Sequence, residues 1–314
     1  MSAVESCGYN LGMSIRIPST STGLNSQGAA SLPAEALALL QNAVRRETPC
    51  GEGVMVWHVW SAQAARSAHP PLVLLHGGSG SWTHWVRNIA AMLASGREVY
   101  VPDLPGFGDS AVPAHGSDAD ALPEPVEQGL RLLLGCRSCD LVGFSFGAMV
   151  GGFIARLFPA RAARLVLVGA PGLGLAPLHP INLRGWRHLS EPAEREAVHQ
   201  GNLAALMLYH KESIDELALG VHIANMSRDR MKGRRLSRTD ALAQSLQAVQ
   251  CPVDAIYGSE DALYLGNMEQ LAQTLRRIPN FKSFRTIEDA GHWVQFERAD
   301  AFNETLITLL NRPG

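Results

Sequence analysis

Short, unbroken apolar runs punctuate the chain from residue 54 onward, each followed by glycine, proline or small polar residues. VMVWHVW (54–60) reads as a strand. PLVLLHGG (71–78) is a strand entering a glycine turn, and REVYVPDLPGFGDS (97–110) a strand entering a Pro/Gly loop. CDLVGFS (139–145), ARLVLVGAPG (163–172), PVDAIYG (252–258) and FKSFRTI (281–287) continue the series. Most of these runs do not alternate with polar residues. That pattern signals burial on both faces, hence an α/β fold with a largely parallel sheet flanked by helices. Helical spacing appears in LPAEALALLQNAVRR (32–46), which starts at Pro33, and in FGAMVGGFIARLF (146–158), which stops before Pro159. VQFERADAFNETLITLL (294–310) is the closing helix.

The spacing breaks once. About 80 residues separate the run ending near Val168 from the one starting at Pro252, too many for a plain loop. AEREAVHQGNLAALMLYH (193–210) and RTDALAQSLQAV (238–249) are helical stretches within it. The sequence therefore divides into a core over 32–170 and 251–314 and a helical lid over 171–250, placed over the carboxyl edge of the sheet where ligands bind. Residues 1–31, rich in Ser, Thr, Gly and Asn, read as a loose arm.

Composition adds mainly exclusions. The 46% hydrophobic and 18% charged content is that of a soluble globular chain, and a net charge of −2 gives no pull toward nucleic acid or anionic membrane. No run approaches the ~18 apolar residues of a membrane span, and the N-terminus lacks a secretory layout, so a cytoplasmic location is expected. The five cysteines suit reduced thiols. Cys136 and Cys139 form a CxxC that leads into a strand rather than opening a helix, and no second pair exists for zinc. Neither metal nor organic cofactor is implied.

Candidate chemistry begins at Gly143-Phe144-Ser145-Phe146-Gly147. A sharp strand-to-helix turn forces its central residue toward strained backbone angles, and its neighbours must be small. The turn lifts the Ser145 hydroxyl above the sheet, beside the N–H groups that open a helix. A serine nucleophile needs a base. Among eleven histidines, His292 sits in a glycine loop between the last strand and the last helix, while His76 is placed to orient the HGG turn. A carboxylate must then fix the imidazole. Asp261, three residues after Gly258 at a strand end, is chosen over its rival Asp289; Asp254 lies within a strand and should point away.

Ser145, Asp261 and His292 in that order, together with LLHGGSGSW (74–82), DLPGFGDS (103–110) and AGHWVQFE (290–297), resemble the α/β-hydrolase fold family over roughly residues 50–312. The resemblance implies an oxyanion hole from the backbone N–H groups of Gly78 and Phe146, with Ser79 as an additional donor, and a structural role for Asp103. Within the family, the C-terminal third and RRLSRTDALAQSLQAVQCPV are most similar to meta-cleavage-product hydrolases, which cut carbon–carbon bonds, and Trp293 fits that subgroup. Phe144 stands where that subgroup carries Asn. Val221 stands where its lid arginine is expected, leaving Arg184, Arg187 or Arg228 as substitutes. The basic run RDRMKGRRLSR (228–238) reads as a solvated helix face.

Phe144, Trp293 and Ser79 are the expected substrate contacts. The expected partner is a small molecule carrying an apolar or aromatic group, with homo-oligomerisation left open. The reading is a serine hydrolase acting on an ester or related acyl compound. Carbon–carbon hydrolysis of a 2-hydroxy-6-oxo-dienoate and an idle ligand-binding member of the fold are the alternatives.

Overall fold

The computed structural model describes residues 32–61 and 69–312; the arm read over 1–31 lies outside the described residues. Among the described residues, eight strands form one sheet: β1 (Val44–Cys50), β2 (Gly53–Trp60), β3 (Leu72–Leu75), β4 (Val99–Pro102), β5 (Cys139–Phe144), β6 (Ala162–Val168), β7 (Val253–Gly258) and β8 (Phe281–Ile287). Their order is β1-β2-β4-β3-β5-β6-β7-β8. β1, β2 and β4 pair antiparallel, and the remaining pairs are parallel.

The unbroken apolar runs have a simple consequence. Successive side chains of a strand point to opposite faces. In β5, Leu141 joins one core and Val142 the other; in β6, Leu165 and Leu167 join one, Val166 and Val168 the other. Helices α1 (Ala34–Leu40), α2 (Ile89–Ala94) and α10 (Ala299–Leu310) close the second core, and α3 (Pro123–Leu134), α4 (Phe146–Leu157) and α8 (Met268–Arg276) the first.

Three boundaries differ from the sequence reading. The helix expected over 32–46 ends at Leu40, and residues 44–50 form edge strand β1, whose first four residues are exposed. The closing helix is broken at Arg298 into α9 (Val294–Glu297) and α10. Residues 228–238 are loop with a 3₁₀ turn at Leu236–Arg238, not a helix face.

The segment between β6 and β7 contains α5 (Pro192–Asn202), a π turn (Leu203–Met207), α6 (Glu216–Ser227) and α7 (Ala241–Leu246). α7 presses on α4, where a Cβ on Gly152 would lie 2.4 Å from Leu242; Gly151, by contrast, faces the sheet at Leu165 and Leu75. Cys139 opens β5, and burial pushes its thiol up, away from the reactive thiolate of a redox pair. Among the described residues, no helix is long and apolar enough to cross a membrane.

The amino end of the sheet is sealed by buried ion pairs. Arg97, fully buried, donates to Asp140 at 2.6 Å and to the Leu310 carbonyl at 2.9 Å; Arg164 donates to Asp254 at 2.8 Å. Burial pushes the Asp140 carboxyl up, while Arg97 pulls it down. Arg97→Met should therefore cost about 3–5 kcal/mol in urea unfolding at neutral pH. The loss should shrink as pH falls, because protonation removes the charge that burial penalises. Replacing Asp140 by Leu as well should recover most of it, and a double variant no more stable than Arg97→Met would contradict the account.

Candidate active site

The site stands at the carboxyl ends of β3, β5, β7 and β8. Ser145 joins β5 to α4 with φ +51° and ψ −116°, outside the regions an L-residue favours. Its neighbours have no room for a side chain. A Cβ on Gly143 would meet the Gly147 carbonyl at 2.4 Å, and one on Gly147 would meet the Leu75 and His76 carbonyls at 2.4 and 2.5 Å. The Ser145 N–H donates to the Val168 carbonyl at 2.7 Å, fixing the turn to β6.

His292 Nε2 lies 3.0 Å from Ser145 Oγ, and its Nδ1 lies 2.9 and 3.0 Å from the two carboxylate oxygens of Asp261. Asp261 is fully buried and also accepts from the Leu263 N–H at 3.0 Å. The structure thus brings the three sequence candidates into one hydrogen-bonded chain. Asp289 is not part of it: its side chain is 70% exposed and stands 4.0 Å from Arg298. Asp254 points into the ion pair at the far end of the sheet. The His292 loop is held by Glu297, whose carboxylate accepts the N–H groups of Gly291, Tyr209 and His210 at 2.6, 3.0 and 2.8 Å. The Trp293 N–H donates to Met207 of the π turn at 2.7 Å, so the β6–β7 segment is fastened beside His292.

Gly78 and Phe146 face each other across the opening, 3.6 Å between a Cβ on Gly78 and that of Phe146. As the first residue of α4, Phe146 has an N–H that the helix cannot pair. The turn carrying Gly78 is clamped by two histidines. His76 Nε2 accepts the Leu104 N–H at 2.8 Å, so its Nδ1 carries the hydrogen that bonds the Gly77 carbonyl at 2.7 Å. The Gly77 N–H donates to His84 Nδ1 at 3.2 Å. Burial pushes His76 down to about 4 and His84 well below its usual range, so both are neutral clamps. Asp103 fixes the next loop, accepting from the Trp82 and Asp109 N–H groups at 2.9 Å each.

The expected substrate contacts fare differently. Phe144 and Trp293 are each 1% exposed. They lie beneath the site rather than on its wall: Phe144 packs on the rings of His84 and His292, and Trp293 donates to the His84 carbonyl and stacks on Phe296. The Ser79 hydroxyl is committed elsewhere, donating to Asp229 at 2.5 Å. It also accepts from Arg234 at 3.0 Å.

Arg234 is the residue that sequence reasoning did not single out. Its guanidinium is held by Asp229 at 2.9 Å, lies over the rings of Phe107 and Phe146, and leaves Nη1 buried without a partner beside Gly78. The run 228–238 was its only signal, and nothing in that run separates Arg234 from its neighbours. Arg228 pairs with Asp109, Arg187 lies over Trp186, and the Arg184 backbone bonds Asn202. Val221 is fully buried in the core.

A 2-hydroxy-6-oxo-6-phenylhexa-2,4-dienoate hydrolase of Burkholderia cepacia is 27% identical over 256 residues, covering 76% of this chain and 87% of that protein. A 2-hydroxy-6-oxononadienedioate/2-hydroxy-6-oxononatrienedioate hydrolase of Pseudomonas putida is also 27% identical, over 259 residues, with the same coverage of 76% and 87%. Among solved structures, a serine hydrolase from Cycloclasticus zankles superposes with a TM-score of 0.67 at 20% identity, covering 86% of this chain and 98% of that one. A carboxylesterase from Bacillus subtilis gives 0.65 at 19% identity, covering 88% and 95%. The model of the alpha/beta hydrolase family matches residues 72–305, and the chain belongs to that family.

Proposed function

We propose that the protein is a serine hydrolase that cleaves an ester or related acyl compound bearing an apolar group. The observation that carries this reading is the chain Ser145–His292–Asp261, headed by a hydroxyl on a strained turn. Ser145 Oγ attacks the substrate carbonyl as His292 Nε2 takes its proton. Asp261 holds the imidazole in the tautomer that can accept it and stabilises the imidazolium. The Gly78 and Phe146 N–H groups receive the developing oxyanion, each such donor being typically worth ~3 kcal/mol. His292 then protonates the leaving group. Water, activated by the same imidazole, releases the acid and restores Ser145. The β6–β7 segment acts as the lid.

A second reading, carbon–carbon hydrolysis of a 2-hydroxy-6-oxo-dienoate, is favoured by Arg234. A guanidinium with one N–H unpaired beside Gly78 can hold a carboxylate or an enolate oxygen close to the reacting carbonyl. The names of the curated relatives point the same way. Against it, Phe144 puts an apolar ring immediately before the nucleophile.

Labelling of Ser145 by a fluorophosphonate separates an enzyme from an idle binder, and absence of labelling would count against hydrolysis of either kind. Ser145→Ala should lose ~10⁶-fold in kcat with an unchanged fold; activity within tenfold of the parent removes Ser145 from the mechanism. Asp261→Asn should cost ~10⁴-fold, by analogy with a comparable triad, and Asp289→Asn little; the reverse ranking in kcat/KM would show the wrong carboxylate was chosen.

Glu297→Ala strips three backbone N–H groups of their acceptor. It should lower both Tm and kcat, because the His292 loop and the Met207–His210 stretch are then held only by their remaining contacts; an unchanged kcat would show that the loop needs no such fastening. Arg234→Met distinguishes the two readings. Turnover of a phenyl-substituted dienoate should fall about tenfold or more relative to p-nitrophenyl esters if the guanidinium grips the substrate carboxylate. Equal effects on both would assign Arg234 to the oxyanion or to the loop.

A further inference from the structure

The turn after β3 reads Gly77-Gly78-Ser79-Gly80, and of these four residues only Ser79 has a positive φ, +52°. Glycine takes such an angle without steric cost, and serine does not. The glycines answer to space instead: a Cβ on Gly77 would lie 2.9 Å from Phe144, and one on Gly80 2.3 Å from His84. A side chain thus occupies the one position whose backbone angle favours its absence. What serine has there and glycine lacks is a hydroxyl, and the β6–β7 segment holds that hydroxyl.

Ser79 Oγ donates to Asp229 Oδ2 at 2.5 Å, across 150 positions of sequence, and Arg234 Nη2 donates to both oxygens, at 3.0 and 2.9 Å. The Asp229 carboxylate does not swing freely to this contact. Its other oxygen accepts the Met231 N–H at 3.0 Å. The residues around it seat the loop on the turn at 106–110. Arg228 donates to Asp109 at 2.9 Å, and the Arg230 N–H donates to the Gly106 carbonyl at 2.9 Å. The Arg230 guanidinium donates to the Gly108 carbonyl at 3.1 and 3.2 Å. Met231 is buried against Gly106, where a Cβ would lie 2.4 Å from it. The carboxylate is therefore aimed by the seating of its loop.

Gly78 lies between two anchors. On one side the Gly77 carbonyl, which shares a peptide plane with the Gly78 N–H, is bonded to His76 Nδ1 at 2.7 Å. One bond fixes one point of that plane and leaves the plane able to tilt. On the other side Ser79 is tied to Asp229. With both ends held, the Gly78 N–H keeps one direction. Oxyanion donors act by being in place before charge develops. A tilt of this plane therefore weakens stabilisation of the transition state more than binding of the substrate.

We propose that Asp229, acting through Ser79, is a positioning residue for the Gly78 half of the oxyanion hole, so that the hole is complete only when residues 228–231 are seated on the turn at 106–110. The role in turnover rests on the hydrolase reading above, whereas the coupling of Asp229 to the turn does not. The test compares Ser79→Gly, Ser79→Ala, Asp229→Ala and the double variant Ser79→Gly/Asp229→Ala with the wild type. The substrate is a p-nitrophenyl ester, and the inhibitor is phenylboronic acid, which binds a nucleophilic serine as a tetrahedral anion. Ser79→Gly suits the backbone angle, so it should melt above Ser79→Ala, yet both should lose about tenfold in kcat with KM changed by less than about twofold. The Ki of the boronic acid should rise by about the same tenfold. In the Asp229→Ala background, Ser79→Gly should cost under about twofold, because the bond it removes is already gone. A kcat for Ser79→Gly within about twofold of the wild type overturns the proposal. So does a loss confined to KM, or a full tenfold cost retained in the Asp229→Ala background. If the wild type turns over no ester and takes no fluorophosphonate label, the hydrolase reading fails. Amide hydrogen exchange over residues 77–80 then decides the coupling alone: faster exchange in Asp229→Ala supports it, and unchanged exchange overturns it.

Discussion

The backbone at Ser145 cannot relax without moving the sheet. A non-glycine residue at φ +51° sits in a conformation that costs of order 1–3 kcal/mol, and it persists because its surroundings leave no alternative. Gly143 and Gly147 press against neighbouring backbone on both sides, with no space for a Cβ. The Ser145 N–H is tied to β6 and its carbonyl to the first turn of α4. This one constraint aims the hydroxyl out of the sheet and sets the opening N–H of α4 next to it. It also brings α4 against the end of β3, which is why the turn after β3 faces Phe146. Both halves of the proposed oxyanion hole therefore depend on the absence of two methyl groups.

The sheet treats its two ends differently. At the amino end, carboxylates are paired with buried arginines and closed off. At the carboxyl end, a buried carboxylate faces an imidazole instead, and the imidazole faces a hydroxyl on a strained turn. Both arrangements place a buried acid on a strand or just beyond its end; the partner decides what it can do. Asp254 and Asp261 are seven positions apart on one strand-and-turn unit, yet one meets a group that keeps its charge and the other a group that can exchange a proton.

Legibility in the sequence followed the range of the interaction concerned. The elbow was readable because its steric demand falls on residues two positions away. The place of Asp261 just beyond β7 was readable because strand ends are local features. Edge strand β1 was not: VRRETPC exposes most of its side chains, so the apolar contrast that marks a buried strand is missing, and the tail of α1 extended over it. The arginine run failed for a related reason. Charge spacing looks alike in a helix and in a loop, and only contacts with Asp229, Ser79 and Gly78, the last two more than a hundred residues away, distinguish Arg234. Phe144 and Trp293 adjoin Ser145 and His292 in sequence yet are each buried, because adjacency in the chain does not say which way a ring turns.

The histidines show why position near the site is a poor guide to role. His76, His84 and His292 lie within one group of touching rings with Phe144. Burial disfavours the cation in His76 and His84, and both nitrogens of His76 and Nδ1 of His84 are engaged with backbone groups that neither give nor take a proton at neutral pH. Through these bonds they hold a turn still. His58 stands 3.8 Å from Asp103, but that carboxylate is already occupied by two backbone N–H groups. His292 alone among these four is bonded to a carboxylate at one nitrogen and to a hydroxyl at the other. A proton leaving Ser145 would find a charge-stabilised site there and at none of the others. The proposed assignment of the base thus rests on what each ring touches, a property of the fold.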